Sequence, residues 1–164
     1  MRVAVTVGDA AGIGHEIIGA ALRNPLPSQA TPVVYGARSL FGDAPFEVID
    51  VLDEDLSDII PGGPDPRCAR LQLAALEAAV TDAKAGAVDA IVTAPLNKEA
   101  MNAAGHHYPG HTEILSELAG GTPVRMMLAN HELRTVLVTI HAPLRQAIES
   151  LDSAAILATI RLTH

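Results

Sequence analysis

Two kinds of hydrophobic pattern alternate along the chain. Residues 3–7 form an almost unbroken aliphatic run closed by Gly8, which predicts a strand buried on both faces, as in a parallel sheet. The turn Gly8-Asp9-Ala10-Ala11-Gly12-Ile13-Gly14 follows. Glu16-Ile17-Ile18 and Ala20-Ala21-Leu22 then place apolar residues at helical spacing until Asn24-Pro25 ends the run. Residues 31–35 and 47–52 predict a second and a third strand, with Phe41-Gly42-Asp43-Ala44-Pro45 as the turn between them. Pro61-Gly62-Gly63-Pro64-Asp65-Pro66 sustains neither helix nor central strand and reads as a loop. Beyond it, residues 67–84 carry Leu71, Ala74, Ala75, Ala78 and Ala79 in one helical stripe, with Gly86 where a C-terminal glycine belongs. Residues 89–93 predict another buried strand, stopped by Pro95.

Residues 124–128 and 135–140 are two further aliphatic runs. Ala129-Asn130-His131-Glu132-Leu133 joins them and is short enough for a hairpin, so the expected sheet is mostly parallel with an antiparallel section. From Pro143 the pattern is helical again, and Asp152-Ser153 caps a last helix through Ile156, Leu157 and Ile160. Strands alternating with helices predict a three-layer α/β fold. No repeat, low-complexity segment or internal linker marks a domain boundary within residues 1–164.

Composition narrows the function. A chain of 164 residues, 49% hydrophobic and 18% charged, has the profile of a folded domain that buries roughly 70% of the surface its unfolded form exposes. Eleven Lys and Arg against nineteen Asp and Glu leave a net charge of −8. That balance lacks the basic footprint that nucleic acid or an anionic membrane requires, and it points to small-molecule partners. With no Trp, two Phe and two Tyr, base-stacking platforms are excluded and the core is aliphatic. Cys68 is the only cysteine, so no intramolecular disulfide or cysteine-only metal cage can form, and a reducing cytoplasm is the expected compartment. The apolar run at the N-terminus is too short for a signal peptide or a membrane span.

Four stretches carry candidate chemistry. In the first turn the glycines fall at spacings of four and two, so the G-x-G-x-x-G dinucleotide fingerprint is not met. Those glycines suit either a backbone that approaches an anion at a helix N-terminus or a tight strand-to-helix turn alone. Thr93-Ala94-Pro95-Leu96-Asn97-Lys98 lies just beyond the carboxyl end of a buried strand, where open α/β sheets place ligands, and Lys98 could meet a phosphate there or be merely solvated. Gly105-His106-His107-Tyr108-Pro109-Gly110-His111-Thr112-Glu113 gathers three of the seven histidines in one loop, more than stability demands. His111-Thr112 opens a helix, placing an imidazole, a hydroxyl and free backbone donors at its mouth, a set suited to a polar or phosphorylated substrate. His141 follows the strand at 135–140 as a single imidazole available to a metal, although one ligand does not make a site. His15, His131, His164 and Cys68 have no partner at any informative spacing.

Together these stretches resemble the 4-hydroxythreonine-4-phosphate dehydrogenase family of pyridoxal phosphate biosynthesis. The first turn is similar to the family's N-terminal glycine turn, residues 93–98 to its T-x-P-x-x-K segment, Gly110-His111-Thr112-Glu113 to its G-H-T-E, and Thr139-Ile140-His141-Ala142-Pro143-Leu144 to its T-x-H-x-P-L, in the family's order. The resemblance implies NAD- or NADP-dependent oxidation of a secondary alcohol on a phosphorylated four-carbon acid, followed by decarboxylation of the β-keto acid. It also implies help from a divalent metal such as zinc, magnesium or cobalt. On that footing His111 and Thr112 bind substrate and His141 is the first of three metal histidines. The fold implied is the two-domain architecture of the isocitrate and isopropylmalate dehydrogenases, assembled as a homodimer in which the partner completes each site.

Ala10 and His15 stand where the family has prolines. Family members are roughly twice as long, and their two remaining metal histidines, with a distal Lys, Asn and Arg that contact substrate, lie in the half that would follow His164. The 164 residues therefore read as an N-terminal half that does not turn over substrate alone. The alternatives are a relative acting on another phosphorylated sugar acid and a truncated, non-catalytic remnant.

Overall fold

The β-branched runs assemble as predicted into a parallel sheet, in a computed structural model that describes residues 1–24, 26 and 29–164. Strands β1 (Arg2–Thr6), β2 (Thr31–Gly36), β3 (Glu47–Asp50) and β4 (Ala90–Thr93) pair in the order β3-β2-β1-β4, every neighbour parallel. Helix α1 (Gly14–Leu22) carries the chain from β1 to β2; its predicted stop at Pro25 lies outside the described residues. A turn alone between β2 and β3 would make them antiparallel. Instead a short 3-10 segment at Arg38–Leu40 and the loop after it carry the chain back to the starting end of the sheet. After β3 the chain crosses to the far side of β1, so the order of strands reverses direction between β1 and β4.

Side chains alternate across the sheet with period two. On one face Ala4, Val33 and Tyr35 pack against Ala75 and Ala79 of α2 (Pro66–Lys84), and the Tyr35 hydroxyl donates to Asp82 at 2.5 Å. On the other, Val34 and Ala94 pack against Ile18 of α1. The start of α2 is fixed locally: Asp65 accepts from the Arg67 N–H at 2.8 Å, Pro66 occupies the first turn, and Gly86 takes φ +72° beyond the C-terminus.

The buried surface of α2 is wider than the predicted stripe. Ala74 and Ala78 are half-buried, whereas Cys68, Ala69, Gln72, Leu76 and Val80 join Leu71, Ala75 and Ala79 inside. The reason is a second layer. Helices α3 (Lys98–Ala103) and α4 (His111–Leu118) lay Met101 and Ile114 on Ala69 and Leu76, burying the side of α2 turned away from the sheet.

The contacts divide the chain into two compact units, Met1–Gly120 and Gly121–His164, at a Gly120-Gly121 pair with φ of 90° and 75° that the sequence reading does not mark as a boundary. The second unit holds β5 (Met127–Ala129), β6 (Arg134–Val136), α5 (Leu144–Ser150) and α6 (Ser153–Thr163). The hairpin forms as expected: Asn130 Oδ1 accepts from the Glu132 and Leu133 N–H groups at 2.8 and 2.7 Å, closing the turn. It is, however, a separate two-stranded sheet and not an antiparallel section of the parallel one, because β5 and β6 pair only with each other among the described residues. Both strands also stop short of the aliphatic runs. Leu137 N–H still reaches the Met126 carbonyl, but the partner strand runs out towards Pro123, so residues 138–140 have no ladder to join. Asp152 caps α6 as expected, accepting from Ala155 N–H at 2.6 Å. Thr159 is the one buried residue among the described residues of this unit; Leu128, Leu133, Leu144, Ile148 and Ile160 are all exposed.

Candidate functional site

The first unit collects its polar residues where the strand order reverses. The loops after β1 and β4 leave the sheet side by side at its carboxyl edge, and this divergence opens the crevice in which open α/β sheets bind ligands. The two loops are locked together by backbone. Asp9 N–H donates to the Pro95 carbonyl at 3.1 Å, and Gly8, at φ +69°, lies so close to Pro95 that a side chain would run into its carbonyl. A side chain on Gly14 would meet the Val7 carbonyl in the same way. Both glycines face protein backbone, so tight turn packing accounts for them without a ligand.

Asp9, 7% exposed, is the polar centre of this junction. Its Oδ1 accepts from Ala11 N–H at 3.1 Å and its Oδ2 from Asn97 Nδ2 at 2.9 Å. Asn97 N–H donates to Gln72 Oε1 at 2.7 Å, Gln72 Nε2 donates to the Cys68 carbonyl at 3.0 Å, and Asn97 Oδ1 caps α3 by accepting from Ala100 N–H at 3.1 Å. One chain of hydrogen bonds thus ties the turn after β1, the loop after β4 and helix α2, and it orients the start of α3 where Lys98 stands exposed. Sequence reasoning missed Asp9, Asn97 and Gln72 as a set. A lone glutamine among the alanines and leucines of α2 gives no signal until the fold brings residues 9, 72 and 97 together.

His111 joins the same junction. Gly110 precedes α4 in extended backbone, and the half-buried His111 ring donates to the Ala94 carbonyl at the end of β4. Its Nε2 is buried without a partner among the described residues. Burial pushes the imidazole pKa below its ordinary 6.5, with the Lys98 ammonium adding to the effect and the Ala94 bond opposing it. The ring is therefore neutral at pH 7. With the other nitrogen donating to Ala94, Nε2 holds a bare lone pair that can accept a hydrogen bond from a ligand hydroxyl or ammonium. Thr112, half-buried, follows in the first turn, where backbone N–H groups and the positive end of the helix favour an anion.

The histidine loop divides. His107 is exposed and its Nδ1 lies 3.3 Å from Asn102 Oδ1, while of the three only His111 reaches the strand ends. His141 belongs to the second unit. It does not follow a strand directly, since β6 ends at Val136, and it is exposed at φ +52°, a conformation rare for a residue with a side chain. Among the described residues no three His, Cys, Asp or Glu side chains gather as a metal site, so the residues present do not by themselves fit a divalent ion. No described helix is long and apolar enough to cross a membrane.

Cys68 is inert rather than catalytic. Burial, reinforced by the Asp9 carboxylate, pushes its thiol up to about 11. At pH 8 a thiol reagent is expected to label the folded chain at least about 100-fold more slowly than the chain in urea, followed by absorbance, because reaction must wait for local opening.

A parallel α/β domain with a polar junction at its switch point and an imidazole-bearing helix mouth beside it is the architecture of a small-molecule-binding enzyme domain. Residues 5–164 match the model of the family described as pyridoxal phosphate biosynthetic protein PdxA, and the chain belongs to that family. The 4-hydroxythreonine-4-phosphate dehydrogenase of Beijerinckia indica is 40% identical, over 99% of this chain and 55% of its own length. The D-threonate 4-phosphate dehydrogenase of Pectobacterium atrosepticum is 37% identical, over 92% of this chain and 54% of its own. Among solved structures, a 4-hydroxythreonine-4-phosphate dehydrogenase from Burkholderia phymatum superposes with a TM-score of 0.88 at 32% identity, covering 98% of this chain and 56% of that one. The chain thus spans little more than half the length of the relatives it matches.

Proposed function

We propose that the chain is the N-terminal half of a cytoplasmic, homodimeric dehydrogenase that oxidises and decarboxylates 4-(phosphooxy)-L-threonine in pyridoxal 5'-phosphate biosynthesis, within a two-domain fold of the isocitrate dehydrogenase type. The observation that carries this reading is the family match along residues 5–164. The chemistry asks for a neutral hydrogen-bond acceptor near a hydroxyl and for donors to a phosphate, and the mouth of α4 supplies both: His111 Nε2 as acceptor, Thr112 and the first-turn N–H groups as donors. Lys98, close enough to act on His111, adds a positive charge. A nicotinamide cofactor supplies the acceptor for the hydride of the secondary alcohol. His141 offers one imidazole towards a divalent metal whose other ligands belong to the length this chain does not span, and no step is derived through that metal. No general base is assigned among residues 1–164.

A second reading has its own support. A relative named D-threonate 4-phosphate dehydrogenase matches at 37%, close to the 40% of the first, so the acid could be D-threonate 4-phosphate. Both substrates carry a phosphate on a four-carbon acid and would use the same helix mouth.

The test follows NADH absorbance. The chain alone, with NAD, a divalent metal and either substrate, is expected to form none; turnover by these 164 residues would overturn the reading as half a site. Joined in one polypeptide to the unmatched portion of the Beijerinckia indica relative, it is expected to form NADH, and the ratio of kcat/KM for the two substrates decides between them. In that fusion His111→Ala should raise KM about 10- to 100-fold, the loss of a hydrogen bond worth roughly 1.5–3 kcal/mol to a charged or polarised group.

A further inference from the structure

We propose that Asp9, Gln72 and Asn97 are positioning residues for the dehydrogenation, fixing residue 97 so that the Lys98 ammonium stands beside His111 and meets the phosphate of the substrate. The inference deepens the function proposed above and rests on it for the identity of the ligand. A buried glutamine or carboxylate is costly unless its polar atoms are all engaged. Gln72 is fully enclosed on α2, and Asp9 is nearly so at the turn after β1. Both are engaged, and one bond of each runs to Asn97: the Asn97 side-chain amide donates to Asp9 and its backbone N–H donates to Gln72. The remaining side-chain oxygen of Asn97 accepts from Ala100 N–H. Three bonds in different directions hold residue 97, and α3 starts from it at Lys98. Asp9 itself is no ligand, because both of its oxygens accept bonds from within the chain.

The reason such a network serves the site is the weakness of what it holds. A helix of six residues does not set its own start, so the direction of α3 has to be imposed from outside. Lys98 is exposed and has no ion pair or hydrogen bond among the described residues, yet it is near enough to act on His111. Its ammonium is thus free for a ligand, on the side of the α4 mouth where His111 Nε2 is buried without a partner among the described residues. A lysine meets a phosphate as a point charge on a flexible stem, so the charge is only as well placed as the backbone that carries it. A misplacement of about 1 Å at such a distance from the chemistry can cost up to about 100-fold.

The kinetic experiment uses the fusion with the unmatched portion of the Beijerinckia indica relative. Lys98→Met, Gln72→Leu and Asn97→Ser should each raise KM for the phosphorylated acid at least about fivefold and change kcat less than about threefold. Asn97→Ser keeps an oxygen to cap α3 and loses the amide that Asp9 accepts. A residue needed for folding alone would lower the amount of active enzyme, and so kcat, without moving KM. Asp9→Asn and Asn97→Asp each set like groups against one another, two amides or two carboxylates. Combined, they restore the bond with its direction reversed, and KM should return to within about threefold of wild type. A second measurement needs no substrate: the His111 ring titration, followed by NMR in the 164-residue chain. Lys98→Met removes a neighbouring positive charge and should raise that pKa, and Asn97→Ser and Gln72→Leu should move it in the same direction. An inactive wild-type fusion would overturn the functional reading and leave the titration to judge the positioning. The positioning is overturned by an active fusion whose KM ignores Lys98→Met, Gln72→Leu and Asn97→Ser, by a reversed pair that does not recover, or by a His111 pKa that moves with Lys98→Met alone.

Discussion

Gly8→Ala is expected to cost about 2–5 kcal/mol of stability, the sum of a left-handed backbone penalty of roughly 1–2 kcal/mol and an overpacking cost of roughly 1–3 kcal/mol. Gly8 sits at φ +69°, where an L side chain is strained, and the new methyl group would be driven into the Pro95 carbonyl. That carbonyl cannot move aside cheaply, because it accepts from Asp9 N–H and is flanked by the buried Ala94. Gly42 provides the control. It has φ +54° but nothing within reach of an added methyl group, so Gly42→Ala should cost only the backbone penalty, about 1–2 kcal/mol. Urea unfolding measures both, and at an m-value of roughly 1–3 kcal/mol/M the midpoint for Gly8→Ala should fall by about 1 M or more. Equal losses in the two variants would show that the approach of the two loops is not a constraint.

Asp9→Ala is expected to lose about 2–4 kcal/mol, since it strands two donors at once, Ala11 N–H and the Asn97 amide, at a price of roughly 1–3 kcal/mol for each buried unsatisfied group. Asn97→Ala removes the amide together with the cap of α3. If the two side chains act as one clasp, the double variant should be more stable than additivity predicts by about 1 kcal/mol or more, because the bond between them is lost only once. Strict additivity in denaturant melts would mean that the loops are held by their backbone contacts and the Asp9–Asn97 bond is incidental. Asp9→Asn should fall between wild type and Asp9→Ala, keeping one acceptor oxygen for the two donors.

Much of the architecture was legible because the determining signals are local. Asp65-Pro66 and Gly86 bracket α2 within a residue of the predicted bounds, Asp152 starts α6, and Asn130 closes the hairpin through its own side chain. The β-branched runs at 3–7 and 31–35 announce buried strands, whereas the run at 89–93 forms β4 as expected but not the buried strand it predicts, since none of Ala90–Thr93 is buried and Val92 is 53% exposed. Where pairing rather than propensity sets the length, the reading overran. Residues 135–140 are aliphatic throughout, yet β6 stops at Val136 because its partner strand ends. The separation of the hairpin from the parallel sheet is likewise a matter of which strand finds which edge.

The candidate site divides along the same line. His111 and Thr112 could be picked out because Pro109-Gly110 must break the chain and restart it as a helix, which puts both residues at its mouth. Their shared motif, with the three others in order, was enough to indicate the family. What the linear order could not contain is the company His111 keeps. The Ala94 carbonyl and the Lys98 ammonium reach it only because α4 folds back to the end of β4; burial and the ammonium keep its ring neutral, while the Ala94 carbonyl engages the other nitrogen and leaves the Nε2 lone pair free. Nor could it show that Asp9, Gln72 and Asn97 share one hydrogen-bond chain across 88 positions of sequence. Local periodicity, caps and breakers are set by neighbours within a few residues, so the sequence by itself determined the elements and the family. Burial, proton affinity and loop-to-loop contact depend on residues far apart in the chain, so only the tertiary structure decided what the site can do.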